Sequence, residues 1–240
     1  MSDLAPALDA IRQRRPKKVV AFTGAGVSAD SGIPTFRGEH GMWRNFRSED
    51  LATPEAFARD PEFVWEWYEW RRGLIRDAKP NAAHEALARL TDAVVVTQNV
   101  DNLHTRAGSP NVIELHGNIF RVRCTREGTT SMRETAFESM PPHCECGALF
   151  RPDVVWFGEM LPEDALARAS AAILGADLLL VIGTSGVVYP AAGLVSLHRG
   201  LSIEINPQAS ALASACTFAI AEGAAAATPP IVEAILEGAH

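Results

Sequence analysis

Four consecutive apolar residues, Val19-Val20-Ala21-Phe22, run almost directly into Gly24-Ala25-Gly26. A short continuous apolar run reads as a strand buried on both faces, the habit of parallel sheets. Small residues at its carboxyl end let the backbone approach a phosphate closely, and open α/β sheets bind ligands at that end. Strand-like runs lie at 18–23, 92–97, 112–115, 153–157, 177–183, 201–206 and 217–220. Helical patterns fall between several of them, at 81–90, 163–174, 188–198 and 229–237, with Pro80 marking the start of the first. A missing N–H is harmless in that position. The alternation predicts an α/β fold, a parallel sheet with helices on both faces.

Two segments break the rhythm. Residues 38–79 hold no convincing strand and carry Phe63-Val64-Trp65-Glu66-Trp67-Tyr68-Glu69-Trp70-Arg71-Arg72, a helical and only partly amphipathic pattern. Residues 121–150 are polar and loop-rich and contain three of the four cysteines. Both read as insertions that build a smaller lobe. The expected division is a large lobe of 1–37, 80–120 and 151–240 and a small lobe of 38–79 and 121–150, within one domain spanning 1–240. Ala224–Ala227 reads as a tight or helical turn.

The formal net charge of −7 argues against a general nucleic-acid binder, which usually presents a basic surface. Residues 1–15 lack the apolar centre of a signal peptide, and no apolar stretch approaches a membrane span. A cytoplasmic location without membrane attachment is the expectation. Four unevenly spaced cysteines do not make a disulfide framework.

Polar groups gather where the strand-like runs end. Gln98, Asn99 and Asp101 follow Val94–Val96; taken alone, Asp101 also reads as a helix N-cap. His116 follows Val112–Leu115, and a side chain with an ordinary pKa near 6.5 suits a base at neutral pH. His104 is its rival, read as packing beneath the site, and His84 falls within a helical pattern. Gly183-Thr184-Ser185 and Asn206 end two further runs.

Three stretches, Gly24–Arg37, Thr97–His104 and Glu114–Gly117, together resemble the sirtuins, NAD-dependent protein-lysine deacylases. The resemblance implies a Rossmann-like large lobe with an inserted small lobe, the latter a helical module plus a degenerate zinc-ribbon-like module. By resemblance, Gly24, Ala25, Gly26 and Ser28 belong to the turn that wraps the pyrophosphate, with Ala25 and Gly26 as backbone donors. Phe36 shields the reacting ribose and Arg37 orders the cofactor loop. Gln98 and Asn99 meet the nicotinamide ribose, and Asp101 binds the carboxamide. Gly183, Thr184, Ser185 and Asn206 supply further contacts, and Ala224 borders the adenine.

The implied reaction consumes NAD. The acyl-lysine oxygen attacks the anomeric carbon, nicotinamide leaves, and His116 takes a ribose proton so that the acyl group passes to ADP-ribose. The substrates are acyl-lysine proteins, held as an added strand between Val155, Phe157, Gly158 and Glu159 on one side and Val187 on the other. Tyr68 and Arg71, three apart on one helix face, match the pair that marks removal of succinyl and malonyl groups. On any other helix they read as a packed phenol and a solvated arginine. Ala52 leaves room for a longer acyl chain. A deacetylase without acidic preference, a protein ADP-ribosyltransferase and a non-enzymatic NAD sensor are the competing readings.

The cysteines depart from the family pattern of two C-x-x-C pairs. The first pair has become Cys124-Thr125-Arg126-Glu127 and the second Cys144-Glu145-Cys146. Three thiolates with Glu127 or His143 make a tetrahedral zinc site; a metal-free, hydrogen-bonded loop is the other reading. Cys216 reads as a small buried hydrophobe.

Overall fold

The computed structural model describes residues 3–34 and 47–238. In chain order the elements are α1 (Leu4–Arg14), β1 (Val19–Thr23), α2 (Ser48–Leu51), α3 (Pro54–Arg59), α4 (Pro61–Asp77) and α5 (Ala82–Ala88). Next come β2 (Val94–Thr97), α6 (Leu103–Arg106), β3 (Val112–Glu114), β4 (Gly117–Cys124), β5 (Thr130–Met132) and β6 (Phe150–Val154). The chain finishes with α7 (Glu163–Leu174), β7 (Leu178–Ile182), β8 (Leu201–Ile205), β9 (Phe218–Ile220) and α8 (Ala224–Glu237). Short 3-10 turns lie at Ala25–Ser31, Ala191–Leu197 and Ala213–Ala215.

Six strands form a parallel sheet in the order β3-β2-β1-β7-β8-β9. The chain winds outward from β1 in one direction and from β7 in the other, so the two central strands flank a topological switch point. That is where such sheets bind ligands. Alternate residues face opposite layers: Val19 and Ala21 of β1 with Leu178, Leu180 and Ile182 of β7 pack under α1, α5 and α8. Val20, Phe22, Leu179 and Val181 pack against Ala169 and Ile173 of α7. Burying each large aliphatic side chain contributes about 1.5–3 kcal/mol, which explains why these strands carry no polar residue before their ends.

A second sheet, antiparallel and in the order β5-β4-β6, shares a core with α3 and α4 that includes Trp65, Trp67, Tyr68, Phe120, Val122 and Trp156. Helix α4 is tied to this sheet by Trp65 Nε1, which donates to Phe150 O at 2.8 Å. Buried Arg72 donates to the carbonyls of Arg133 and Thr135 and lies 4.8 Å from the Phe137 ring centre. Asp60 and Thr53 cap α4 and α3 through side-chain oxygens on Phe63 and Ala56 N–H.

Five sequence expectations change. The run at 153–157 is not a strand of the parallel sheet; only 150–154 is extended, and it pairs antiparallel with β4. The loop-rich 121–150 holds strand backbone because its alternation is carried by long side chains: Val122 and Cys124 point inward, while the more exposed Arg121 and Arg123 both pair with buried Asp153. Helix α8 starts at Ala224 rather than 229 and has Pro229 and Pro230 inside it. The helical pattern at 188–198 is a 3-10 turn, and Pro80 precedes the N-cap Asn81 rather than opening α5. Among the described residues, no helix is long and apolar enough to cross a membrane.

Candidate active site

The glycine turn and the β7 end interlock across the switch point. Gly24 N–H donates to Ile182 O at 3.0 Å and Gly26 N–H to Gly183 O at 2.8 Å. A Cβ on Gly183, whose φ is +60°, would lie 2.3 Å from Val27 N. The Gly26 N–H is therefore spent on the β7 turn and is not a phosphate donor; the residue's role is close approach. Ala25 opens the 3-10 turn that follows.

Ser28, in that turn, is the hub of a buried polar set. Its hydroxyl donates to Asp101 Oδ2 at 2.7 Å and accepts from Asn99 Nδ2 at 3.2 Å, with His84 Nε2 at 3.4 Å. Asn99 Nδ2 also reaches Gly24 O at 3.1 Å. The other Asp101 oxygen takes the Leu103 N–H at 2.9 Å, so the residue helps cap α6. The formal N-cap is Asn102, in a left-handed conformation. Beneath this layer His104 Nε2 lies 3.0 Å from Thr23 Oγ1, and its ring sits 4.7 Å from that of His84. Burial, with the second imidazole adding to it, pushes the His104 pKa down to about 3. His104 is thus a neutral packing residue, as expected.

His116 stands just beyond β3. Its Nδ1 is 2.8 Å from Gln98 O. A carbonyl only accepts, so Nδ1 carries the proton and Nε2 keeps the lone pair. Burial lowers its pKa, partly offset by that backbone bond. Gln98 Nε2 donates to Thr184 Oγ1 at 3.0 Å, and Asn206 Nδ2 to Thr184 O at 2.9 Å, so the ends of β2, β7 and β8 are joined through one threonine. Ser185 O accepts from Ala211 N at 3.3 Å. Ala224 is the buried first residue of α8, and the next N–H, of Ala225, reaches Asp30 Oδ2 at 3.3 Å.

On the other flank, Val155 N–H donates to His116 O and Phe157 N–H to Ala52 O, both at 2.9 Å. Phe157, Gly158 and Val187 are exposed. The Glu159 carboxylate is held by Arg151 at 2.6 and 2.9 Å and by Trp156 N–H at 2.8 Å, so it locks the turn. These partners hold its pKa below the ordinary glutamate value despite the opposing effect of burial. Tyr68 is fully buried and accepts from Trp156 Nε1 at 2.8 Å. Arg71 lies half-buried with its guanidinium 5.0 Å from the Trp67 ring centre. Burial depresses the Arg71 pKa, while Tyr68 and Asp101 act on it in the opposite sense. Arg71 thus stands within electrostatic reach of both the Tyr68 phenol and the Asp101 carboxylate. Phe36 and Arg37 lie outside the described residues.

Cys124, Glu127, Cys144 and Cys146 offer ligand atoms that all lie within 4.8 Å of one another. Cys124 and Cys146 Sγ are 3.5 Å apart, and Glu127 N–H donates to Cys124 Sγ at 3.4 Å, an interaction that lowers the thiol pKa. Three thiolates and a carboxylate at this spacing fit a tetrahedral zinc ion. His143 is not in the cluster; it is exposed and bridges Leu149. Cys216 is half-buried, and burial pushes its thiol up to about 11.

Sequence reading overlooked Trp156, Arg151 and Asp30. The first two had a signal, an aromatic directly between Val155 and Phe157 and a cation four residues before Val155.

A doubly wound sheet whose switch point gathers amides, a carboxylate and an imidazole, beside a second lobe, defines a dinucleotide-using enzyme of two lobes. The donor set suits NAD: side-chain amides in Gln98 and Asn99, a carboxylate in Asp101 and an imidazole in His116. The Sir2 family model matches residues 24–190, and the chain belongs to the Sir2, or sirtuin, family. The NAD-dependent protein deacylase of Pyrococcus furiosus is 53% identical over 233 residues, covering 90% of this chain and 92% of the relative. That of Aquifex aeolicus is 54% identical over 199 residues, covering 79% and 83%. A solved Sir2 homologue–NAD complex superposes with a TM-score of 0.90 at 46% identity, covering 98% and 95%. A Sir2 structure with a p53 peptide and NAD+ gives 0.81 at 32% identity, covering 99% and 97%.

Proposed function

We propose that this sirtuin is an NAD-dependent protein-lysine deacylase that removes succinyl, malonyl and acetyl groups, yielding nicotinamide and O-acyl-ADP-ribose. The observation that carries the acyl assignment is the Tyr68–Arg71 pair on α4: a buried phenol and a half-buried guanidinium, the latter within electrostatic reach of Asp101. A guanidinium grips a distal carboxylate bidentately, and the phenol adds a hydrogen bond. Ala52, small and buried, leaves length for the chain.

NAD, when bound, supplies an ADP-ribosyl group that accepts the acyl oxygen. This chain's part is to orient and to move one proton. Asp101, fixed by Ser28 and Leu103 N–H, is the carboxamide acceptor; Asn99 and Gln98 orient the ribose; His116 Nε2 takes a ribose hydroxyl proton. Gly158 and Val187, both exposed, offer backbone to the peptide, since the Val155 and Phe157 N–H groups are already bonded to His116 O and Ala52 O; by resemblance Phe36 shields the reacting ribose and Arg37 orders the cofactor loop. The lobe boundaries and a cytoplasmic location, with no nucleic-acid or membrane partner, complete the proposal.

Purified protein incubated with NAD and matched succinyl-, malonyl-, acetyl- and unmodified-lysine peptides tests it. Deacylation of all three acyl peptides, with higher kcat/KM on the acidic ones, is expected. Activity on acetyl alone would return the chain to a general deacetylase. ADP-ribose on the unmodified peptide would assign transferase activity.

A further inference from the structure

Tyr68 accepts a hydrogen bond from an indole: Trp156 Nε1 lies 2.8 Å from the phenol oxygen, and both side chains are buried. An indole N–H only donates. It therefore occupies a lone pair of the phenol and turns the Tyr68 O–H elsewhere. We infer that Trp156 is a positioning residue for acyl specificity, orienting the Tyr68 hydroxyl to donate to the distal carboxylate of an acidic acyl group. The inference rests on the reading of Tyr68 and Arg71 as the residues that recognise that carboxylate.

The indole has little freedom of its own. Its backbone N–H is fixed on Glu159 Oε2 at 2.8 Å, the Arg151 guanidinium lies 3.5 Å from its ring centre, and Phe57 stacks at 5.2 Å. Arg151 is in turn held by both oxygens of Glu159. The turn 156–159 thus exists as a bracket around Trp156, and Glu159 finds its role there. One residue back, Val155 N–H is bonded to His116 O, so a single short segment touches both the proposed base and the proposed acyl reader.

Polarity makes the orientation matter. A carboxylate offers only acceptors, so a phenol that has already accepted one hydrogen bond and still holds its proton is the right partner. Burial, the largest influence on Tyr68, pushes its pKa up to about 12 and keeps that proton in place at neutral pH. An acetyl methyl neither donates nor accepts and is indifferent to the phenol's direction.

The test is a double-mutant cycle on Trp156→Phe and Tyr68→Phe, with Arg71→Met alongside. The readout is the ratio of kcat/KM on succinyl- to acetyl-lysine peptide, measured on one preparation so that the folded fraction cancels. Trp156→Phe keeps a ring against Phe57 and Arg151 and deletes the N–H. It should lower the ratio roughly three- to tenfold, mainly through KM for the succinyl peptide. In the Tyr68→Phe background the same change should lower it little further. An unchanged ratio in Trp156→Phe, with Arg71→Met still lowering it, would overturn this inference and leave the acyl reading standing. An equal fall in both backgrounds would also overturn it, because Trp156 would then act by packing. A wild-type enzyme without acidic preference, unaffected by Arg71→Met, would overturn the acyl reading and this inference with it.

Discussion

His116 Nδ1 lies 2.8 Å from the backbone carbonyl of Gln98, which fixes the imidazole tautomer and leaves the lone pair on Nε2. The same Gln98 sends its side chain to Thr184, so the residue that sets the tautomer also spans the switch point. Burial holds the pKa of this imidazole below the ordinary histidine value, against the opposing effect of the Gln98 carbonyl.

The pH profile should show this directly. The base form is complete above the folded pKa, which burial places below the ordinary histidine value of about 6.5. Deacylation kcat/KM should therefore be flat near neutrality, with its acid limb below that value. His116→Ala should cost about 10²–10⁴-fold while retaining the fold. An acid limb at or above 6.5 would contradict the assignment.

His104 predicts an acid-sensitive fold. Its pKa is about 3 in the native state and near 6.5 when unfolded, so between those values the unfolded chain binds more protons. The stability from keeping this imidazole neutral is fully present above 6.5 and is lost as pH falls through the window, by up to about 1.4 kcal/mol per pH unit. Neighbouring His84, also lowered by burial, acts in the same sense. Thermal midpoints should fall between pH 6.5 and 4 in wild type and more gently in His104→Asn. Parallel curves would remove His104 from the account.

Gly183→Ala should be costly for two reasons, a left-handed φ and a Cβ 2.3 Å from Val27 backbone. Gly32 has φ of +80° but no atom of the described residues within 4 Å of its Cβ position, so Gly32→Ala is expected to carry mainly the conformational penalty. About 1 kcal/mol is expected at Gly32 and several at Gly183, a difference of several degrees in thermal midpoint. Equal shifts would show that the interlock of the two turns is slack.

The metal cluster predicts about one zinc per chain after expression in zinc-replete medium, lost with Glu127→Ala more readily than with His143→Ala. Chelation should destabilise the antiparallel sheet, with Cys124 ending β4. Protein free of zinc and equally stable with chelator would favour the hydrogen-bonded loop.

The large lobe was legible because its strands are buried on both faces and announce themselves as apolar runs such as Leu178–Ile182. The polar ends of those runs were legible for the same reason, since each interrupts a run. Strand β4 was half hidden: alternating Arg121, Val122, Arg123 and Cys124 gives a strand with a wet face, which composition reads as loop. Nothing in the spacing of Glu159 distinguished a turn lock from a substrate contact; its pairing with Arg151 is a tertiary fact. The fourth member of the cysteine cluster is open in the sequence between Glu127 and His143, because each lies within three residues of a cysteine; only the Glu127 carboxylate turns toward the thiols.

Arg71→Met tests the central claim most directly, because it keeps much of the apolar stem and deletes the charge. A charge-assisted, bidentate contact to a buried carboxylate contributes about 1.5–3 kcal/mol, or roughly ten- to hundredfold in kcat/KM. With NAD saturating, kcat/KM on a succinyl-lysine peptide should fall by that factor while acetyl-lysine, which has no distal charge, changes little or improves. An equal loss on both peptides would contradict the account, placing Arg71 among the supports of α4 rather than at the acyl group.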